Sequence, residues 1–259
     1  MSATYATRKL ARSALVRAPA VYELLTAQWR YRMYHRLGVV HEREFRALPL
    51  LVERPEPLVL DVGGNSGQSI LSIKTVLPKA RVITFEPAAR HAVRLLSLAD
   101  RFDDVQIEAC ALSDVSGEAE LFWPVYRGMT MDALASLDRT QVMSWLGPDG
   151  LYGFDRDRLS IVSETIRVCR LDDFGLEPDV LKLDVQGAES KVIAGAMETI
   201  RRCRPALMLE DLVEGDDSHR LLEPFGYDVY TYGSDGRFEL GTTAPAMNRF
   251  LLPAERLTA

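Results

Sequence analysis

The 259-residue chain reads as an α/β protein built on a doubly wound, mostly parallel sheet of seven strands. Three observations carry that expectation. Short apolar runs alternate with helical stretches from residue 58 onward. A glycine-rich turn, Asp61-Val-Gly-Gly-Asn-Ser-Gly67, separates the first run from the first helix. An acid, Glu86, closes the second run, at the carboxyl edge where such sheets gather ligand groups.

The elements follow in order. Leu58–Val62 is a buried strand, 66–76 a helix stopped by Pro78, Arg81–Phe85 a strand, 88–99 a helix and 105–109 a third strand. This βαβαβ rhythm requires parallel pairing with right-handed crossovers. Residues 118–123 read as an added strand, with 161–169 as its hairpin partner. The sheet resumes at Val180–Leu183, followed by one helix over 187–201, a strand at 206–209, a helix at 218–225, and closing strands at Tyr227–Tyr232 and 249–252. Upstream, Leu10, Ala14, Leu15, Val21, Leu24, Leu25, Trp29, Met33 and Leu37 recur near helical spacing over 8–48, broken at Pro19. Pro55 and Pro57 mark the boundary. The expected organisation is therefore an N-terminal helical arm or lid (1–54), a main domain (55–259) and an insertion on the substrate side (124–160), after the third sheet strand.

Composition narrows the class. Apolar residues make up 47% and charged residues 26%, values usual for a globular protein with a sizeable core. The net charge of −6 argues against a general nucleic-acid binder. Residues 1–46 carry a local +6 and the remainder −12. The basic arm is expected to act as a lid or dimer element, with contact to anionic lipid as the alternative. Cys110, Cys169 and Cys203 are sparse and scattered, a pattern of reduced thiols without zinc spacing. No apolar run approaches a membrane span, and the N-terminus does not read as a secretory signal. A cytoplasmic protein is expected, with the inner face of the membrane as a further location.

The glycine turn points to a nucleoside. Its spacing is G-x-N-x-G over Gly63, Asn65 and Gly67, so the G-x-G-x-x-G pyrophosphate fingerprint is absent. Asp61 at the strand end suits a ligand bearing an amine and a sulfonium rather than phosphates. Glu86 can accept both ribose hydroxyls, and Ser113-Asp114 can read the adenine amine. A tight βα connection with helix caps is the bland alternative. It does not account for Asp61, Gly63, Gly67 and Glu86 falling in register with the strands.

The segments LVLDVGGNSGQSI, VITFEP, ACALSD, LDDF and VLKLDVQGAESKVIAGA together resemble the FkbM-type methyltransferase family over roughly residues 58–212. The resemblance implies a class I Rossmann-like domain using S-adenosylmethionine, and O-methylation of a hydroxyl on a sugar, glycolipid or secondary metabolite. A nucleoside-binding module without turnover and a nicotinamide-dependent oxidoreductase are the alternatives. The missing third glycine weighs against the latter.

Methyl transfer to a hydroxyl needs alignment and a proton acceptor. Asp184, Glu210 and Lys182 are the expected catalytic residues, with the carboxylates as bases and Lys182 as a partner for a carboxylate or substrate oxygen. Asp184, Glu210 and Asp211 at neighbouring strand ends also make a hard-cation site for Mg²⁺. Metal-free and metal-assisted chemistry both stay open. Glu189 reads equally as a helix-terminus acid and as a catalytic residue. His41 and His219 are minor base candidates, His35 adds nothing further, and His91 is expected to face solvent. Trp123, Tyr126, Trp145, Tyr152 and Phe154 in the insertion fit either a sugar-stacking surface or a satellite core.

Overall fold

The computed structural model describes Met33 and residues 36–131, 134–145, 152–210, 212–242 and 246–257. Most of the helical run expected over 8–48 lies outside the described residues, as do His35 and Asp211. The described residues divide into two units, one within Met33–Glu118 and Arg167–Ala259, the other within Ala119–Ile166.

Among the described residues twelve strands are formed: β1 (Leu58–Val62), β2 (Arg81–Phe85), β3 (Val105–Glu108), β4 (Ala111–Leu112), β5 (Gly117–Tyr126), β6 (Met129–Thr130), β7 (Leu159–Cys169), β8 (Val180–Leu183), β9 (Ala206–Glu210), β10 (Tyr227–Tyr232), β11 (Phe238–Leu240) and β12 (Asn248–Pro253). The α-helices among the described residues are α1 (Gln68–Val76), α2 (Ala89–Ala99), α3 (Arg139–Trp145), α4 (Glu189–Ala194), α5 (Met197–Cys203) and α6 (Asp217–Leu222).

The larger unit holds a sheet of order β11-β10-β12-β9-β8-β1-β2-β3. The five strands from β9 to β3 are parallel, and the other three pair antiparallel. The expected seven strands become eight. Gly236 at φ +82° turns the chain back after Tyr232, and β11 pairs Phe238 with Tyr232. A three-residue, largely exposed strand carries too little pattern to be read from sequence.

Alternation along β1 and β8 sorts the two faces. Leu58, Leu60, Val62, Leu181 and Leu183 pack with Ile193 and Leu209 on one side. Val59, Val180 and Met208 pack with Ile70, Ile73 and Phe250 on the other. Phe45 and Leu48 join this second layer at 0% exposure, from a 3₁₀ helix, Arg43–Leu50, that packs on α1. Burial on both faces is what parallel strands require.

Two helical expectations need correction. The single helix expected over 187–201 is broken into α4 and α5 at Gly195, where a Cβ would lie 1.9 Å from the Ser113 carbonyl oxygen. The Leu171-Asp-Asp-Phe174 turn fills the break. Asp172 N–H donates to the Gly195 carbonyl at 3.1 Å, and its carboxylate accepts from Glu198 N and Thr199 N at 3.2 and 2.8 Å. Those contacts supply the N-terminal partners that α5 lacks locally. His91 is not solvent-facing. It is 3% exposed, because with Leu95 and Leu98 it forms the buried stripe of α2 at spacings of four and three.

In the smaller unit, β5 pairs antiparallel with β6 through Val125↔Thr130 and Tyr126↔Met129. Tyr126 stacks on Phe154 with centroids 5.4 Å apart and gathers Met129, Met131 and Leu159 around it. Its hydroxyl accepts from Asp155 N at 2.9 Å. These aromatics form a satellite core, whereas Tyr152 is 45% exposed.

Candidate functional site

The site is built at the carboxyl ends of the parallel strands of the larger unit. Strand register does much of the work. Asp61 on β1 lies opposite Thr84 on β2 and Lys182 on β8, so three polar side chains form one row across the sheet. Asp61 is 0% exposed; its Oδ2 accepts from Ser69 Oγ at 2.6 Å and Thr84 Oγ1 at 3.0 Å. Its Oδ1 faces the Lys182 ammonium at 3.3 Å. Both oxygens are thus engaged within the protein, and Asp61 anchors the turn from beneath.

The glycines answer to the protein's own packing. Gly63 has φ +86°, and a Cβ there would lie 1.9 Å from the Asp184 carbonyl oxygen. At Gly67, with φ +83°, a Cβ would lie 2.1 Å from Leu98 Cδ1. The turn can therefore sit tightly between β8 and α2 only without side chains at these positions. Asn65 takes a left-handed conformation at φ +44°, which presents its N–H to Glu86 Oε2 at 2.7 Å.

Glu86 closes β2 at 9% exposure. Its Oε1 accepts from Ala88 N at 2.9 Å, and its Oε2 from Asn65 N. Each oxygen keeps a further lone pair for a hydroxyl donor. Burial pushes the carboxyl up to about 7, against the two amide hydrogen bonds and Lys182, with Asp61 adding to the rise. A carboxylate so placed fits a vicinal diol.

Ser113 and Asp114 are turned to other partners. Ser113 N–H donates to the Cys169 carbonyl at 2.9 Å and its hydroxyl to Asp114 Oδ1 at 2.9 Å. Asp114 lines a cavity of about 370 Å³ with Ser190, Lys191 and Ala194 of α4 and Asp217, Arg220 and Leu221 of α6.

A second polar group lies at the ends of β8 and β9. Lys182 Nζ is 3.3 Å from Asp184 Oδ2 and 3.4 Å from the Gly63 carbonyl oxygen. Burial pulls this ammonium down, but Asp184 and Asp61 outweigh it and hold it above the usual lysine range. Burial also raises the Asp184 carboxyl. The Lys182 charge and hydrogen bonds with Glu210, Gln186 and Lys182 prevail and hold it below the usual carboxylate range. Gln186, at φ +54°, bridges the pair, donating from Nε2 to Asp184 Oδ1 and Glu210 Oε2 at 3.1 Å each. Glu189 Oε1 accepts from Val185 N at 3.1 Å and Gly187 N at 3.3 Å, so it closes the turn before α4.

This donor set does not fit a hard cation as it stands. Both Asp184 oxygens and one Glu210 oxygen already face nitrogen donors. Among the described residues no group of three metal-ligating side chains gathers. Asp211 lies outside the described residues.

Glu42, Asn248 and Gln186 are site residues that sequence reasoning missed. Asn248 opens β12 opposite Glu210, and its Nδ2 donates to Glu42 Oε2 at 2.6 Å. His41 Nε2 lies 3.4 Å from the same oxygen. The Gln within LDVQGAE was the one available signal, since it sits between two assigned acids. His219 is 8% exposed; its Nδ1 accepts from Gly215 N at 3.0 Å within the turn before α6.

Strand order and the glycine turn make this a Rossmann-like α/β fold, and the match to a family model gives its class as methyltransferase. The chain belongs to the methyltransferase FkbM domain family, whose model matches residues 61–229. It is 32% identical over 164 residues to the 2-O-methyltransferase NoeI of Sinorhizobium fredii, covering 61% of this chain and 65% of that protein. It is 33% identical over 159 residues to the 31-O-demethyl-FK506 methyltransferase FkbM of Streptomyces tacrolimicus, covering 55% and 60%. A solved methyltransferase FkbM from Methylobacillus flagellatus aligns at TM-score 0.48 and 16% identity, over 81% of this chain and 48% of that one. The chain thus spans 65% and 60% of the two curated relatives named, less than two thirds of either. Among the described residues no helix is long and apolar enough to cross a membrane.

Proposed function

We propose that the protein is an S-adenosylmethionine-dependent O-methyltransferase acting on a hydroxyl of a sugar, glycolipid or secondary metabolite. The observation that carries this reading is Glu86, a nearly buried carboxylate at the β2 end with a free lone pair on each oxygen, beside the Asn65 turn. Glu86 would hold the ribose hydroxyls. Gly63, Asn65 and Gly67 would shape the turn around the nucleoside, with Asp61 fixing that turn from below. Ser113 and Asp114 stay proposed for the adenine end. S-adenosylmethionine, when bound, supplies an activated methyl group, so the residues have to position the acceptor, exclude water and manage one proton. The two relatives named for O-methylation support oxygen as the acceptor atom.

Lys182 stays an ammonium and therefore orients oxygen atoms rather than taking a proton. Asp184 and Glu210, joined through Gln186, form the polar wall for the acceptor. We favour metal-free transfer, because the donors on Asp184 and Glu210 would have to leave before Mg²⁺ could bind. Free thiols at Cys110, Cys169 and Cys203 suit a cytoplasmic setting, and a homodimer or a site of action at the inner membrane face remains within the proposal.

Labelled methyl transfer tests the reading. Turnover with oligosaccharide, glycolipid or polyketide acceptors, unchanged by chelator and by Asp211→Asn, is the expected result. Binding of S-adenosylhomocysteine without transfer to any acceptor class would favour a binding module. Loss of turnover with chelator, restored by Mg²⁺, would establish the metal route.

A further inference from the structure

The mechanism above needs a proton acceptor, and Asp184 at the end of β8 supplies a poor one. Asp184 is held below the usual range by Lys182 and its hydrogen bonds, and Glu210 shares Gln186 with it. One further carboxyl reaches the same edge of the sheet. Glu42 immediately precedes the 3₁₀ helix Arg43–Leu50, whose buried Phe45 and Leu48 fix the backbone. Asn248, opposite Glu210 in the β9–β12 pairing, holds Glu42 Oε2 at 2.6 Å.

His41 adds a second constraint on Oε2. The buried Ser72 hydroxyl accepts from His41 N at 3.0 Å and lies 2.8 Å from His41 Nδ1. The other ring nitrogen, Nε2, faces Glu42 Oε2 at 3.4 Å. Oε1 has no partner among the described residues, and the side chain is 22% exposed. Burial raises the Glu42 carboxyl, with Asp184 and Glu44 in the same sense, against the Asn248 hydrogen bond and Lys182. A carboxylate of raised affinity for protons is a better base than Asp184.

We propose that Glu42, fixed by Asn248 and flanked by His41, takes the proton from the acceptor hydroxyl through Oε1, which no described residue engages. This rests on the transferase reading above. The acceptor O–H bond breaks and its proton passes to Glu42. The acceptor oxygen forms the bond to the methyl group, and the donor sulfur keeps the electron pair of the broken S–C bond. Charge balances, since one carboxylate and one sulfonium become a carboxylic acid and a thioether. The partial exposure of Glu42 lets water collect the proton afterwards.

The test compares wild type, Glu42→Gln and Glu42→Ala with the acceptor that wild type methylates fastest. S-adenosylhomocysteine affinity should stay within about twofold, while kcat falls roughly 10²–10⁴-fold and the acceptor KM changes little. Added formate should restore part of the turnover of Glu42→Ala, which a merely structural role would not permit. A Glu42→Gln enzyme with kcat within about threefold of wild type overturns the proposal. So does loss of S-adenosylhomocysteine binding in both variants, or Glu42→Ala that binds it but ignores formate. Absence of transfer by wild type overturns the transferase reading itself, and the Glu42 role falls with it.

Discussion

At the scale of single residues, the site depends on carboxyl groups that share one type of chemistry and differ in surroundings. Glu86 is raised from an ordinary 4.5 to about 7, chiefly by burial. The folded protein therefore binds that proton more tightly than the unfolded chain. Its contribution to stability is present below about pH 4.5 and fades as the pH rises through about 7. A diol that donates to the carboxylate selects the ionised form. S-adenosylhomocysteine should therefore bind more tightly at pH 8 than at pH 6, by up to about tenfold per unit below the Glu86 value. Calorimetry in buffers of different ionisation enthalpy should register proton release on binding. Flat affinity with no proton released would remove Glu86 from the ribose. Asp61 and Lys182 make the opposite case, since their pairing is internal. Lys182→Met strands a fully buried carboxylate and should cost about 3–5 kcal/mol in urea unfolding. Adding Asp61→Asn to that variant should recover most of the loss. Additive losses in the double variant would show that the pair does not interact.

At the scale of elements, backbone contacts decide what the hydrophobic pattern leaves open. The run 187–201 has the periodicity of one helix, yet Gly195 meets the Ser113 carbonyl and the chain restarts as α5 under the Asp172 cap. Gly195→Ala must move one of two backbone segments. It should destabilise by about 1–3 kcal/mol or more, through overpacking rather than helix propensity, which favours Ala. A stabilised Gly195→Ala protein in chemical denaturation would contradict this account. The same logic separates legible from illegible elements. Strands β1, β2, β8 and β10 fall where their apolar runs place them, because both faces of the sheet are covered. Strand β11 and the α4–α5 break depend on turns and close approaches that leave no periodic trace. The burial of His91 was misread for a related reason, since a polar type on an amphipathic helix hides its place on the apolar stripe.

At the scale of the whole molecule, the larger unit carries the proposed nucleoside turn and the described strand-end carboxylates, from Glu42 to Asn248. Ligand binding to it should therefore be read out by global unfolding. At a concentration of about 100 times the dissociation constant, S-adenosylhomocysteine should add about 2.7 kcal/mol, a rise of several degrees in Tm. NAD should leave Tm unchanged; an equal shift with NAD would favour the oxidoreductase alternative. The sequence by itself determined the doubly wound sheet, the glycine turn and the acids at strand ends. Those features are local, and each is written in a short stretch of periodicity or in one motif. Only the tertiary structure decided what surrounds each acid. Register put Asp61 beside Lys182 and gave it an internal role, Gln186 tied Asp184 to Glu210, and packing of the segment before β1 brought Glu42 and His41 to Asn248. Those partners lie up to 206 positions apart in the chain, and proton affinity depends on burial and neighbours rather than on residue type.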